Sequence, residues 1–270
     1  MVADLDTLLG DLAGAQTYEL EHDRYIGAPI FPAHWPGFIY ALHRHHDVVE
    51  GRARTSASGT LTMQEHSGTH IDALCHQAVD MEMFGGVKVT PDVQTPRGFT
   101  ELGVETIAPI FRRGVLLDVA GALEVDALPA GYLVTEKDLV AASEAQGVAV
   151  RPGDCILVRT GNGSAYHDSE TYLQGPGVSR EGARWLAAQQ PFLCGADNVA
   201  FDVPDNTDPE LGSLPCHTVL IVEKGIHIIE NLNLEGLASE GCTEFLFACL
   251  PMKLRGVTGS PVRPVALAFS

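Results

Sequence analysis

Residues that can bind a metal ion are concentrated in the segment His66–His76. Two imidazoles and a carboxylate come first, and another histidine ends the segment: His66, His70, Asp72 and His76. Zn²⁺ and Mn²⁺ bind nitrogen and oxygen ligands of these kinds, and three protein ligands leave coordination positions open for water and substrate. The segment therefore predicts a catalytic centre with a divalent metal, Zn²⁺ or Mn²⁺.

The backbone around these residues determines which of them can share an ion. The flank Thr60–Met63 alternates between polar and apolar residues, as a half-buried strand does. Gly68 stands between His66 and His70, where it disfavours a helix. We therefore predict a strand, a bend at Ser67-Gly68 and a second strand, because glycine adopts backbone angles that other residues avoid.

Distances along an extended chain then separate the roles of the four residues. His70 and Asp72 would lie about 7 Å apart on one face of a strand, close enough to bind one ion. His66 would be about 13 Å from His70 if the chain stayed extended, so the bend at Gly68 must bring it back. His76 lies beyond these ligands, and we predict that it is an acid/base residue beside the metal.

The pattern His66-x-Gly68-Thr69-His70-x-Asp72-x-x-x-His76 resembles the H-x-G-T-H-x-D-x-P-x-H signature of the cyclase superfamily, which includes bacterial kynurenine formamidase and isatin hydrolase. Leu74 departs from that signature, since the family usually has proline there. Weaker markers occur in the order the family has them: Trp35-Pro36-Gly37, Arg159-Thr160-Gly161, Gly195-Ala196-Asp197, His217, Ile229-Glu230-Asn231-Leu232, Pro251-Met252-Lys253 and Ser260-Pro261-Val262-Arg263.

This resemblance implies a set of metal ligands. His66, His70 and Asp72 would hold a first metal, and in formamidase-like members Asp72 would bridge to a second metal held by His217 and Glu230. Glu230 would either bind that second ion or orient the attacking water. The general acid/base of the family corresponds to the last histidine of the signature, in agreement with the role that distance predicts for it.

Local sequence suggests how the second pair of ligands could meet. Thr218–Val222 and Ile226–Glu230 are apolar segments of strand length, separated by a short turn. We predict that they pair antiparallel, which would bring the outer ends, His217 and Glu230, close together.

The remaining pattern predicts a β-rich domain. Thr135 is predicted to cap a helix Glu136–Gln146, and Ser179 a helix Arg180–Gln190, while the first fifteen residues have the apolar spacing of a short amphipathic helix. Further segments with strand composition are Gly114–Val119, Cys155–Arg159, Phe192–Gly195 and Phe245–Leu250.

We therefore predict the α/β class, as β-rich α+β layers. No repeat or linker divides the chain, so residues 1–270 are predicted to form a single domain, with residues 1–45 as an amino-terminal arm. The resemblance implies a compact domain of the kynurenine formamidase type, with a small central β-barrel flanked by helices. It also implies a homodimer or homotetramer whose arms cross the partner subunit.

Aromatic residues are candidates for holding a substrate ring. Phe31 and Trp35 lie in an irregular, proline-rich part of the arm, where they would either belong to the core or contact a substrate or a partner subunit. The turn at Phe84-Gly85-Gly86 and the length of the chain resemble the isatin-hydrolase branch, whereas Glu230 resembles the two-metal site of formamidases. These features leave the substrate class open.

Three functions are consistent with these observations. The first is a hydrolase that opens a cyclic amide, such as an isatin-like or γ-lactam ring, by metal-activated water with His76 as acid/base. The second is an arylformamidase acting on a substrate of the N-formylkynurenine type. The third is a non-catalytic binding protein whose fold the metal staples, although such a protein would have no need of His76.

Composition limits the other partners. The formal net charge is −18 and no basic stripe is visible, so nucleic acid is not an expected partner. No apolar segment is long enough to cross a bilayer and the amino terminus lacks the basic region of a signal peptide, so we expect a cytoplasmic protein with a small-molecule amide substrate and no membrane partner. The six cysteines are scattered, which favours buried thiols over disulfides.

A second group of histidines, His43, His45 and His46, lies beside Arg44 and Asp47. It fits either a solvated turn or another metal site, and we favour the turn.

Overall fold

The computed structural model describes residues 4–269 of the chain. The α-helices of these residues are α1 (Leu5–Gly14), α2 (Val119–Ala122), α3 (Glu136–Gln146), α4 (Ser169–Leu173), α5 (Arg180–Ala188), α6 (Pro215–His217) and α7 (Glu235–Ser239). Their strands are β1 (Gln16–Glu19), β2 (Phe38–Arg44), β3 (Ser58–Met63), β4 (His70–Asp72), β5 (Glu82–Met83), β6 (Val87–Lys88), β7 (Gln94–Thr95), β8 (Gly98–Phe99), β9 (Ile110–Asp118), β10 (Leu133–Val134), β11 (Cys155–Arg159), β12 (Gly177–Val178), β13 (Leu193–Ala196), β14 (Thr207–Asp208), β15 (Gly212–Ser213), β16 (His227–Glu230), β17 (Glu244–Cys249), β18 (Gly259–Pro261) and β19 (Val265–Ala268).

One large sheet organises the fold. Its strand order is β1-β19-β17-β9-β11-β13-β16-β4-β18, with parallel pairing from β9 through β16 and antiparallel pairing elsewhere. The sheet is a curled, open half-barrel, so the predicted small closed barrel is wrong. The edge strand β18 ends at Pro261, which has no N–H to donate to a further strand.

Apolar side chains cover both faces of this sheet. In β11, Ile156 and Val158 pack into a cluster with the helices α3 and α5, whereas Cys155 and Leu157 pack into a second cluster on the opposite face. A strand buried on both faces reads as a continuous apolar run, which is why the sequence located β11 at its observed bounds. The two clusters together hold the carboxyl ends of the parallel strands in place.

Helix prediction succeeded where local signals are strong. Thr135 and Asp138 form a reciprocal capping box at the start of α3, and Gly147 ends the helix in a left-handed conformation. The second predicted helix is also present, although it ends at Ala188. The predicted amphipathic helix near the amino terminus corresponds to α1, and its residues 1–3 lie outside the described part of the chain.

The predicted strand Thr218–Val222 is wrong, because α6 continues into a wider helical turn over Thr218–Glu223. Pro215 starts this helix with the fixed backbone angle that a first helical turn requires. Val219, Leu220 and Ile221 are all buried, and a short apolar run of this kind suits a buried helix as well as a strand. The predicted hairpin to β16 therefore does not exist.

Two parts of the predicted arm differ in their surroundings. β1 pairs with β19 and extends the main sheet, whereas β2 pairs antiparallel with β3, which lies beyond the predicted arm. We call Phe38–Met63, which contains that pair, the exposed hairpin, since nearly all residues of its strands are exposed. None of the helices within residues 4–269 combines the length and hydrophobicity needed to span a bilayer. All six cysteines are free thiols, five of them buried.

Candidate metal centre

The bend predicted at Ser67-Gly68 is present and fixed by the surrounding chain. Gly68 has a φ of +58°, and a Cβ atom there would lie 2.6 Å from Nη1 of Arg24. The Arg24 guanidinium donates hydrogen bonds to the carbonyl groups of Ser67 and Thr69. The Asn231 amide donates to the Gly68 carbonyl from the opposite side, at 3.1 Å. These contacts hold the backbone in the turn that returns the chain to β4.

Three buried imidazoles converge on the carboxylate of Asp72, which is itself fully buried. His66 Nδ1 lies 2.9 Å from Asp72 Oδ1, and His70 Nε2 lies 3.6 Å from the same oxygen. His217 Nε2 lies 3.5 Å from the other oxygen, Oδ2. The two oxygens of Asp72 therefore face different groups of imidazoles.

A second carboxylate, Glu230, completes the cluster. Its Oε2 lies 3.3 Å from His70 Nε2, and its Oε1 lies 3.2 Å from His217 Nε2. Register explains the first contact, because Glu230 at the carboxyl end of β16 pairs directly with His70 in β4. His217 arrives from the helix that begins at Pro215, so the two predicted partners meet without the hairpin.

This donor set fits a metal ion by two criteria. Ligands at 2.0–2.2 Å from a tetrahedral ion are separated by about 3.3 Å, and the four longer distances around Asp72 and Glu230 are 3.2–3.6 Å. Both oxygens of Asp72, Nδ1 of His66 and Oε1 of Glu230 are buried without a hydrogen-bond partner among the described residues. Such atoms destabilise a fold unless a cation satisfies them.

The charges at the centre also favour a bound metal ion. Burial alone would raise the pKa of Asp72, yet neighbouring imidazoles, His76 first among them, hold that pKa well below its usual range. Burial likewise opposes ionisation of Glu230, but His217 and His70 lower its pKa. Two buried carboxylates are thus kept ionised, and they require positive charge beside them.

The imidazoles supply this charge when no other cation does. Burial disfavours protonation of His217, but Asp202, Asp72 and Glu230 raise its pKa well above the usual value. Burial and Glu230 act on His70 in the same opposing way, and the net result is a raised pKa. A divalent cation at this position would take over the role of both protons.

His76 lies at the edge of the cluster. The sequence places it in the turn Leu74–His76 directly after β4, and its ring stacks on that of His66 with centroids 4.0 Å apart. Burial lowers the pKa of His76 to about 3, so the ring is neutral near pH 7. It also forms a group of potential ligands with Asp72 and His217, so geometry alone allows a metal ligand as well as the predicted acid/base.

The structure adds residues that the sequence did not single out. His34 of the arm stacks on His66 with centroids 4.8 Å apart and lies beside His76. Asp202 accepts a hydrogen bond from His217 Nδ1 at 2.8 Å. Thr258 lies 2.8 Å from His66 Nε2. None of these residues carries a local pattern that marks it, since each reaches the cluster only through the tertiary fold.

The predicted aromatic contacts occupy different places. Phe31 packs against the cluster around Tyr166 and lies 6.1 Å from His34 between ring centroids. Trp35 is 76% exposed. Phe84 is half-buried, and its ring covers Gly225, where an added Cβ would lie 2.4 Å from it.

Comparison with known proteins concerns the family of the chain. The family model named Cyclase matches residues 17–203, which is more than half of the chain. The chain belongs to the cyclase family. Isatin hydrolase from Roseibium aggregatum is 26% identical over 214 residues, which cover 77% of this chain and 73% of the relative.

Solved structures of this family have the same fold. One described as a novel cyclase superposes with a TM-score of 0.83 at 25% identity, over 98% of this chain and 93% of its own. Isatin hydrolase A from Ralstonia solanacearum superposes with a TM-score of 0.77 at 22% identity, over 99% of this chain and 98% of its own. The cyclase-family fold thus extends over nearly the whole chain.

Proposed function

We propose that this protein is a metal-dependent hydrolase that opens a cyclic amide, with an isatin-like or γ-lactam ring as the substrate class. The observation that carries this proposal is the convergence of unpaired, buried nitrogen and oxygen atoms around Asp72 and Glu230. The similarity to an isatin hydrolase over 77% of the chain supports the choice of a ring amide.

The residues divide the work of hydrolysis as follows. His66, His70 and Asp72 would hold a Zn²⁺ or Mn²⁺ ion, which lowers the pKa of water and polarises a carbonyl group. His76 lies beside these residues, where it would first accept a proton from the attacking water and then donate that proton to the leaving nitrogen. An amide nitrogen leaves poorly unless it is protonated, which is why the site needs an acid.

Glu230 and His217 have a second role beside this chemistry. His217 faces the Asp72 oxygen that His66 and His70 do not approach, and Glu230 contacts both His217 and His70. They would either hold a second ion or orient the attacking water. That arrangement resembles the two-metal site of formamidases, so the second candidate function is an arylformamidase that removes an N-formyl group.

A hydrolysis panel tests the proposal. Protein loaded with Zn²⁺ or Mn²⁺ is assayed against isatin, bicyclic γ-lactams, N-formylkynurenine and a simple ester, with His76→Asn as the matched control. We expect ring opening that is lost in the control. Turnover of N-formylkynurenine alone would favour the arylformamidase, and metal binding without turnover of any compound would favour a non-catalytic, metal-stapled protein.

A further inference from the structure

Each imidazole of the metal centre has one nitrogen that faces inward and one that is bound by the surrounding protein. A neutral imidazole carries its proton on only one nitrogen, and the bare nitrogen is the one that binds a metal. The outer hydrogen bond therefore decides which atom each histidine presents. The three imidazoles do not all present the same nitrogen to the centre.

His66 is bound on its outer side through Thr258 and Glu65. The Thr258 hydroxyl donates to Glu65 Oε1 at 2.6 Å, so its single proton is not available to the imidazole. His66 Nε2, 2.8 Å from the same hydroxyl, must then donate to it. That leaves Nδ1 bare, and Nδ1 is the atom that faces Asp72 Oδ1.

His217 is bound with the opposite orientation. Its Nδ1 lies 2.8 Å from Asp202 Oδ2, and a carboxylate can only accept. Asp202 is held in turn, because its Oδ1 accepts from the backbone N–H of Cys216 at 2.8 Å. The bare atom of His217 is therefore Nε2, which faces Asp72 and Glu230. Asp202 is only 1% exposed, so water does not compete for this bond.

His70 follows His217 rather than His66. Its Nδ1 lies 2.7 Å from the Gly68 carbonyl, an acceptor without a proton, and its Nε2 faces inward. This outer partner is backbone and cannot be changed by substitution. Glu65, Thr258 and Asp202 are side chains and can be.

We propose that the Glu65–Thr258 pair and Asp202 are positioning residues, which fix His66 as an Nδ1 ligand and His217 as an Nε2 ligand. The proposal rests on the metal centre of the proposed function, but it concerns metal binding and not the substrate. Outer partners of this kind orient the ligand ring and raise its basicity, and their loss typically weakens metal binding about 10–100-fold.

Nitrogen-15 NMR of the intact, zinc-loaded protein tests the atom assignment directly. Zn²⁺ is diamagnetic, and long-range ring correlations in protein labelled at histidine distinguish the protonated nitrogen from the metal-bound one. We expect His66 to be protonated at Nε2, and His70 and His217 at Nδ1. Zinc on Nε2 of His66 would overturn the proposal, and this measurement needs no variant.

Thr258→Val and Asp202→Asn test the positioning role. Valine keeps the shape of Thr258 but removes its hydroxyl. Asparagine has one side-chain oxygen, so either Cys216 N–H or His217 Nδ1–H must face an amide NH₂. We expect each variant to lose about 10–100-fold in zinc affinity, measured against a competing chelator, while circular dichroism shows a folded protein.

Thr160→Val is the matched control. Thr160 is buried and its hydroxyl donates to Asp197 at 2.6 Å, as Thr258 donates to Glu65, but the other bonds to Asp197 come from the Thr160-Gly161 backbone and not from an imidazole. This variant should lose stability and keep wild-type zinc affinity. Zinc affinities within twofold of wild type in both test variants would overturn the proposal. An equal loss of zinc affinity in Thr160→Val would also overturn it, because the loss in the test variants would then reflect general destabilisation.

Discussion

Two groups of histidines in this molecule look alike in the sequence and differ completely in the fold. The exposed hairpin carries His43, His45 and His46, all of them exposed. The metal centre takes His66 from the turn after β3 and His70 from β4, and both are buried. Among residues 4–269, His46 bonds only to Thr55, at 2.7 Å, whereas each imidazole of the centre has an inner carboxylate and an outer partner. The hairpin is thus the solvated turn that we favoured.

The comparison shows what turns histidines into a candidate metal site. Spacing alone does not, because the hairpin places its imidazoles as densely as the segment His66–His76 does. Burial removes water as a competitor, and a bonded outer nitrogen leaves the inner one bare. Among the described residues, each group of converging ligand atoms contains at least one residue of the buried cluster, and none contains a histidine of the exposed hairpin.

The largest effect on the metal centre is expected from removal of the central carboxylate, Asp72. Asp72→Ala should reduce metal content to background and abolish amide hydrolysis, since Asp72 contacts both groups of imidazoles. Elemental analysis of the purified variant measures the loss. Full metal occupancy in that protein would remove Asp72 from the centre.

His76→Asn should lower kcat for an amide about 10²–10⁴-fold, the usual contribution of a positioned acid/base. Asparagine keeps much of the size of the ring but cannot transfer a proton near neutral pH. The loss should be smaller for an activated ester, whose leaving group needs no proton. Loss of metal along with activity would show instead that His76 is a ligand, as its place near Asp72 and His217 permits.

Low pH should stabilise the buried histidine cluster in the metal-free protein. The pKa values of His70 and His217 are raised above the unfolded value near 6.5, so their protonated forms stabilise the fold fully below that pH. This stabilisation is lost as the pH rises through the raised values. Zinc must displace these protons, so its affinity should increase with pH over the same interval. Calorimetry in buffers of different ionisation enthalpy counts the protons released, and none at pH 6.5 would contradict the prediction.

A smaller effect on stability is expected at the surface of the exposed hairpin. Ile39, Leu42 and Leu61 are exposed there, and a two-stranded hairpin is marginally stable in water without a cover. The family resemblance implies a dimer or tetramer whose arms cross, so Leu61→Glu should reduce the molar mass seen by light scattering. It should change the unfolding free energy of the subunit by no more than about 0.5 kcal/mol. A wild-type monomer at micromolar concentration would contradict this expectation.

The smallest effect should come from the hairpin histidines. His45→Ala is expected to leave metal content, kcat and thermal stability within error of wild type, because His45 is exposed. It serves as the matched control for the substitutions at Asp72 and His76. Any loss of bound metal in this variant would show that the hairpin histidines also affect metal binding, contrary to the distinction between the two groups.

Sequence located the parts of the site that are local in the chain. The bend was predicted from Gly68 and the strand before it from the alternation at Thr60–Met63, and both are present, as is the second predicted strand at His70–Asp72. The helix at Thr218–Glu223 was mistaken for a strand, because the apolar run carries no period that distinguishes the two. The central barrel was expected from the family resemblance. Whether a sheet closes into a barrel depends on whether its edge strands pair, and this sheet is open.

The outer partners could not be found in this way. Thr258 lies 192 residues from His66, and no pattern in the sequence links the two. Asp202 precedes His217 by 15 residues, but a buried aspartate in a turn has many structural uses. The same holds for His34, which reaches the cluster from the arm. Only the packed fold shows which of these side chains face an imidazole.

The unequal spacing of the ligands has a consequence for how the chain folds. His66, His70 and Asp72 are close in sequence, so an unfolded or nascent chain already contains a partial chelate. Glu230 joins only when β4 and β16 pair, and His217 arrives separately from α6. Metal that also binds the unfolded chain stabilises the native state less than its native affinity suggests. Zinc present during refolding should therefore populate an early, locally chelated species. Its conversion to the native state would be limited by the long-range sheet pairing that brings in Glu230.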